Sequence, residues 1–218
     1  MNGLLIKDFK LLSQQTQFII AIFGISVAFL AIWESPFFVM GYATSMVSIF
    51  TLSTISYDQY ENGMAYLFTL PFSRKDYVRE KYVFGILISL TTMIAVSALA
   101  FGAAEIRHLQ YSVEEGIGTM IGSILLVMII MGILIPLQLK FEAEKSRVAL
   151  LLTLLGVLLV GYLIVKVGEG MGIDMDAAIG GLLGVGPVQL IAEAVLVSAV
   201  VIGISYIAAI KVMAKKEL

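Results

Sequence analysis

The sequence contains no cysteine and only one histidine, His108, and these scarcities exclude several kinds of site. Without cysteine there is no disulfide, no thiolate metal site and no cysteine nucleophile, and one imidazole cannot form a histidine cluster. Neither a Walker A motif nor an HExxH-type set of ligands is present, so we expect no enzyme activity, cofactor or metal on this chain. His108 follows Arg107 in a polar stretch, and we interpret it as a solvated loop residue.

Charge is also scarce, because Asp, Glu, Lys and Arg together make up 14% of the residues. Soluble chains contain roughly 25% charged residues and about 45–50% apolar ones, whereas this chain is 60% hydrophobic. A soluble core is therefore excluded, and the composition indicates a membrane protein. The net charge of −2 provides no basic field for nucleic acid, so we expect no nucleic-acid partner.

Long uncharged runs dominate what is present. A bilayer core of about 30 Å needs roughly 20 apolar residues in a helix. Six such runs predict an all-α, polytopic membrane protein with one transmembrane domain over residues 1–218. The first run ends without a small-residue cleavage site, so we expect it to be retained. The predicted spans are Phe18–Trp33, Phe37–Tyr57, Val83–Ala104, Ile117–Leu139, Val148–Val165 and Val188–Ile210.

The basic residues predict the orientation of these spans. Twelve of the fourteen Lys and Arg residues fall at the termini and in the connections after the second and fourth spans. Only Arg107 and Lys166 fall in the other connections. Because basic residues concentrate on the cytoplasmic side of a membrane, we expect both termini to be cytoplasmic.

Three segments outside the spans have a character of their own. Residues 1–16 place Leu5, Phe9 and Leu12 opposite Lys7 and Lys10, the pattern of an amphipathic helix lying on the inner leaflet. Residues 168–187 alternate glycine with short apolar runs, which favours an outer, re-entrant segment.

The third of these segments is the cytoplasmic connection, residues 58–82, which Pro71 divides. After it, Ser73 and Asp76 have the spacing of a capping box. We therefore expect a short polar helix from Ser73 through Tyr82.

Small and polar residues inside the spans are candidates for a pathway. Gly41, Ser45 and Ser48 share one helical face, which fits close packing within the bundle, the lining of a polar path, or a seam between two subunits. Glu193 is the one acidic residue well inside a predicted span. It either reaches water near the outer surface, or lines the pathway or pairs with a partner.

The cytoplasmic connection resembles a known family. Glu61, Asn62 and Gly63 are followed by the run from Leu67 to Arg74, LFTLPFSR, and then by Tyr77, Val78, Lys81 and Tyr82. This pattern, placed between the second and third spans, is similar to the type 2, exporter-class permeases of ABC transporters. Within this class, the pattern is especially similar to the short bacterial permeases with six spans.

The resemblance implies a half-transporter without its own ATPase. Two permease copies, expected to be identical, would form the pathway in a bacterial plasma membrane, and two separate ATPase subunits would bind ATP and Mg²⁺. The residues implied to couple the permease to the ATPase are Glu61, Leu70, Pro71, Ser73, Arg74, Lys75, Asp76, Tyr77, Arg79 and Lys81. A basic loop that only sets topology or touches anionic lipid is the alternative.

The small size of the chain is similar to permeases that export amphipathic peptides, such as the phenol-soluble modulin exporters. We therefore expect a peptide, lipid or drug-like cargo. An ion-coupled secondary transporter and a non-transporting immunity or assembly protein are the alternatives. Several intramembrane carboxylates would favour the ion-coupled transporter. The absence of a neighbouring ATPase gene would favour either of the two alternatives over the permease.

Overall fold

The computed structural model describes residues 2–33, 35–60, 63–109, 112–141 and 187–216, together with Tyr162 and Lys166. These residues are almost entirely helical. The helices in chain order are α1 (Asn2–Gln14), α2 (Thr16–Ile32), α3 (Phe38–Gln59), α4 (Gly63–Leu67), α5 (Arg74–Ile106), α6 (Val113–Lys140) and α7 (Pro187–Lys215).

Four of these helices, α3, α5, α6 and α7, are long and apolar enough to cross a membrane. Helices α1 and α2 meet at a bend of 64° and would supply a fifth crossing only if the pair counts as one span. The predicted span Val148–Val165 and the predicted outer segment 168–187 lie outside the described residues. The prediction of a polytopic helical protein is therefore confirmed, while the number six is not.

Helix α1 occupies the segment for which we expected an interfacial helix. Leu5 and Leu12 pack against the hydrophobic core. The expected position of this helix on the inner leaflet stays a prediction. Phe9 is partly exposed and meets the ring of Phe84 edge-on, with 5.1 Å between the ring centroids. Leu4 and Asp8 are the buried residues of this helix, so its inner face also carries a carboxylate.

The cytoplasmic connection differs from the expected short helix. Ser73 caps the helix that follows, with its hydroxyl accepting from the Asp76 backbone and the Asp76 carboxylate accepting from the Ser73 backbone at 3.0 Å. The capping box is thus confirmed. The helix does not end near Tyr82. It runs for 33 residues, from Arg74 to Ile106, because no proline or glycine pair interrupts it before the apolar run. The short helix of this connection is α4, which we did not predict.

The core divides into two clusters. The first joins α2, α3 and α5, includes Phe37, Met40 and Val96, and is also the cluster against which α1 packs. The second joins α3, α5, α6 and α7 around Ile55, Tyr77 and other buried residues. The five helices therefore pack as one bundle, with α1 and the end of α7 at the same end of it.

A hydrogen bond connects α6 to α7 near the proline in α6. Pro136 has no N–H to give to Gly132, four residues earlier in α6, so that carbonyl loses its helical partner. The Ser205 hydroxyl of α7 donates to the Gly132 carbonyl and also contacts the Tyr82 hydroxyl of α5 at 2.5 Å. A Cβ atom on Gly132 would lie 2.8 Å from Val201 Cγ1, so glycine also permits the close approach of the two helices.

The outer end of α5 is closed by a turn. The Leu109 N–H donates to the Ala104 carbonyl and the His108 N–H to the Glu105 carbonyl, the bonding pattern of a Schellman motif. His108 takes the left-handed position of that motif, with φ of 52°, and its side chain is exposed. The expectation of a solvated loop residue is confirmed, and its backbone also ends the helix.

Candidate functional site

A cluster of charged side chains lies at the inner end of the bundle, where α1, α3 and α5 meet. The Lys81 ammonium lies 2.5 Å from Asp8 Oδ2 and 2.9 Å from Asp58 Oδ2. Lys7 bridges the same two carboxylates, 2.8 Å from Asp8 Oδ1 and in direct contact with Asp58. The Tyr77 hydroxyl donates to Asp58 at 3.0 Å, which completes the cluster.

Burial makes this cluster unusual. Asp8 and Lys81 have no exposed side-chain surface, and Asp58 is 5% exposed. Buried charges are tolerated only when they are paired and hydrogen-bonded. Burial raises the pKa of Asp8, but the ammonium groups of Lys81 and Lys7 outweigh it and hold that pKa below its usual value. Asp8 is therefore an ionised partner in the cluster.

The cluster contains more carboxylates than ammonium groups. Glu80 is fully buried beside it, with Oε2 at 3.7 Å from the Lys81 ammonium, and its carboxylate accepts no hydrogen bond from the described residues. Two lysines thus face three carboxylates, and Lys81 contacts all three. Removing Lys81 would therefore take one ammonium partner from each of the three carboxylates. Within the described ranges, no set of carboxylates or imidazoles is suited to hold a metal ion.

A second connection fixes the start of α5 to the end of α7. Arg74 Nη1 donates to the carbonyls of Met213, Ala214 and Lys216 at 2.9, 3.1 and 2.9 Å. The last carbonyls of a helix lack helical partners, and a cation there also interacts favourably with the helix dipole. We expected Arg74 to contact an ATPase, but its guanidinium is already engaged within the chain.

The remaining residues implied in coupling separate into two groups. Tyr77 and Lys81 are fully buried in the charged cluster, so any part that they take in coupling would act through the residues packed around them, and their coupling role stays a prediction. The Asp76 carboxylate is engaged in the cap, where hydrogen bonds from Ser73 lower its pKa. Glu61 lies outside the described residues. Leu70, Pro71, Ser73, Lys75 and Arg79 are exposed together at the inner end of the bundle, and we call these five residues the inner face.

Sequence reasoning missed exposed aromatic residues beside the inner face. Tyr60 is 67% exposed and Tyr66 is 73% exposed, on either side of the start of α4. Large exposed aromatic side chains are common at protein interfaces. Their position shortly before Leu70 in the sequence was the signal that could have predicted them as part of the same surface.

A comparison with protein families decides what this geometry belongs to. Residues 3–214 match the family model described as ABC-2 family transporter protein. The chain belongs to this family. No curated protein and no solved structure matches it.

Membership of the ABC-2 family makes the chain a multi-pass membrane protein with a permease role in a transporter. Permeases of this family work with ABC ATPases. The buried cluster and the Arg74 contacts fix the start of α5 to α1, α3 and α7.

The residues proposed for a pathway or subunit seam lie mainly inside the permease. A Cβ atom on Gly41 would lie 3.2 Å from Ser123 Oγ of α6. Ser48 is 3% exposed, and its hydroxyl contacts the Ser89 hydroxyl of α5 at 2.8 Å. Ser45 lines a small gap between α3 and α6. Close packing within the bundle is the interpretation that these contacts support, because Ser48 has no surface left for a second subunit.

Glu193 lies on an exposed part of α7. Its carboxylate accepts a hydrogen bond of 3.0 Å from Gln189, one turn earlier in the helix. An intrahelical partner reduces the cost of a carboxylate in an apolar helix. Glu193 is not brought together with the other three residues.

Proposed function

We propose that this ABC-2 permease is the membrane subunit of an ATP-driven exporter, whose ATPase docks on the inner face. The match over residues 3–214 supports the class of transporter. The exposure of Lys75 and Arg79 on a helix start that is anchored on several sides supports the docking position. A docking element must be rigid, since a mobile loop would absorb the movement of the ATPase.

In this proposal ATP and Mg²⁺ are bound by the ATPase, and the permease is not itself an enzyme. Movement of the inner face would pass along α5, which is one continuous helix from Arg74 to Ile106. The Lys81 cluster would move α1 and α3 with it, and Arg74 would move the end of α7. Through these contacts, one movement of the inner face would displace several helices.

The proposed assembly contains two identical permeases and two ATPases in a bacterial plasma membrane, with both termini of the permease in the cytoplasm. Two-fold association is the usual arrangement of identical subunits, and it would match two ATPase sites. The grouping of α1 and the end of α7 at one end of the bundle supports termini on one side.

An amphipathic peptide, lipid or drug-like molecule is the proposed cargo. A groove of about 370 Å³ lies between α5, α6 and α7, and almost all of the described residues that line it are aliphatic, including Leu90, Ile124 and Ile202. None of these described residues is charged, and such a lining suits an amphipathic molecule better than an ion.

The decisive experiment co-expresses the permease with the ABC ATPase of the same operon, and measures co-purification and permease-stimulated ATP hydrolysis. Arg79→Glu should reduce both, because it reverses a charge on the inner face. Lys10→Glu is the matched control, since Lys10 is an exposed cation on α1 outside that face. Equal loss in both variants, or no loss in either, would contradict the docking position. Cargo export that persists without any ATPase would contradict the exporter and favour an ion-coupled transporter.

A further inference from the structure

A basic pocket lies at the ends of α6 and α7 that the proposed function places in the cytoplasm, close to Arg74, which donates to the Lys216 carbonyl. It has a volume of about 380 Å³, and the described residues that line it are Leu139, Lys140, Lys211, Val212, Lys215 and Lys216. Four of these six described residues are lysines, contributed by two different helices and the residue that follows α7. No function considered above uses them.

The lysines concentrate positive charge in one place. Lys211 and Lys215 are four residues apart on α7, and like charges at this spacing repel each other weakly, so a bound anion would relieve that repulsion. Among the described residues, no carboxylate pairs with Lys140, Lys211 or Lys215. Arg74 adds a further positive charge at the end of α7.

The pocket combines this charge with an apolar floor. Leu139 is fully buried and Val212 is partly buried, while Lys140, Lys211 and Lys215 are exposed at the rim. Lys216 donates to the Leu139 carbonyl at 3.1 Å, which fixes the end of α6 against the end of α7 and keeps the pocket formed. A phosphate would meet the lysine ammonium groups, while the attached glycerol met the half-buried Val212 and the alkyl parts of the lysine side chains.

The position along the helices selects the source of the phosphate. Both helices are long enough to cross a membrane. Lys140 and Lys215 lie in the last turns of α6 and α7, Lys211 lies one turn earlier in α7, and Lys216 follows that helix. This is the level of lipid head groups, and basic pockets between transmembrane helices on the cytoplasmic side are typical sites for anionic lipids. We propose that the pocket binds the phosphodiester head group of an anionic glycerophospholipid from the inner leaflet.

The test measures lipid retained by the purified permease from vesicles of phosphatidylcholine mixed with phosphatidylglycerol. The variant Lys140→Gln, Lys211→Gln, Lys215→Gln should lose retained phosphatidylglycerol several-fold. Lys10→Gln, Lys75→Gln, Arg79→Gln is the matched control, because it removes the same charge from the same end of the protein but leaves the pocket intact. The control should retain nearly as much phosphatidylglycerol as the unsubstituted chain.

Further arms separate the other occupants. Inorganic phosphate should not displace the lipid at concentrations that leave the protein folded; displacement at low concentration would show a free-anion site. Equal retention by both variants, or equal loss, would show a general surface charge and overturn the proposal. Loss of ATPase co-purification with unchanged lipid retention would assign the pocket to a protein partner. If lipid binds only after Glu142→Gln and Glu144→Gln, the chain's own carboxylates occupy the pocket, and the proposal fails.

Discussion

Lys81 and Asp8, 73 residues apart in the sequence, form an ion pair in which neither side chain has exposed surface. The pair connects α1 to the start of α5. The helix that we expected to lie along the inner leaflet is therefore attached to the segment that carries the inner face. In the proposed exporter, movement of that face would be felt at α1.

Replacing Lys81 with methionine tests how much the charged cluster contributes to the stability of the fold. The substitution keeps the length of the side chain but leaves Asp8, Asp58 and Glu80 with Lys7 alone. Removing one member of a buried ion pair costs roughly 3–5 kcal/mol, because the other charge stays buried without compensation. Thermal unfolding of the detergent-purified permease should therefore shift clearly to lower temperature.

Lys75→Met is the control for that measurement, because Lys75 is exposed on the same helix and should change stability by less than about 0.5 kcal/mol. Adding Asp8→Asn to Lys81→Met should recover part of the loss, since it removes one of the uncompensated carboxylates. Equal unfolding temperatures for Lys81→Met and Lys75→Met would show that the cluster does not stabilise the fold.

The sequence predicted the helices better than their contacts. Long apolar runs place α2, α3, α6 and α7 within a few residues of their observed positions, because a run of about 20 apolar residues has few alternatives to a spanning helix. Helix α5 ends where expected but begins at Arg74 and not at Val83. The capping box of Ser73 and Asp76 was also predicted, since its partners are three residues apart. Local spacing carries this information completely.

The charged cluster could not be predicted in the same way. Lys7 and Asp58 are 51 residues apart, and no spacing pattern encodes a contact between different helices. The same limit applies to Arg74, whose position in a basic segment predicted docking although its partners are 139 or more residues away. One signal was available: Asp58, Glu80 and Lys81 adjoin apolar runs directly, where an unpaired charge would be costly.

Arg74→Gln should loosen the end of α7 without unfolding the bundle. The variant loses charge-assisted hydrogen bonds to three carbonyls, which we expect to cost about 1–2 kcal/mol because Arg74 is half exposed to water. Hydrogen exchange of the backbone amides over residues 211–216 should become faster, with little change at α3. Lys75→Gln removes the neighbouring charge without touching α7 and should leave this exchange unchanged; faster exchange in both variants would contradict the contact.

A double-mutant cycle tests the joint between α6 and α7. Ser205→Ala leaves the Gly132 carbonyl without a donor, which should destabilise the protein by about 1 kcal/mol. In a Pro136→Ala background the new N–H of residue 136 can donate to that carbonyl, so the same Ser205→Ala change should cost less. Unfolding measurements on the four proteins give the coupling energy. Independent, additive effects would show that Ser205 does not compensate for the proline.

Cysteine labelling tests which end of the bundle faces the cytoplasm, and the absence of native cysteine makes the background clean. Ser13, in α1, and Ser112, before α6, are both exposed and lie at opposite ends of the bundle. Because twelve of the fourteen basic residues are predicted to lie on the inner side, Ser112→Cys should react with an impermeant thiol reagent in intact cells. Ser13→Cys should react only after the membrane is permeabilised. The reverse labelling pattern would place the inner face, the Lys81 cluster and the basic pocket outside the cell, where no ABC ATPase could reach them.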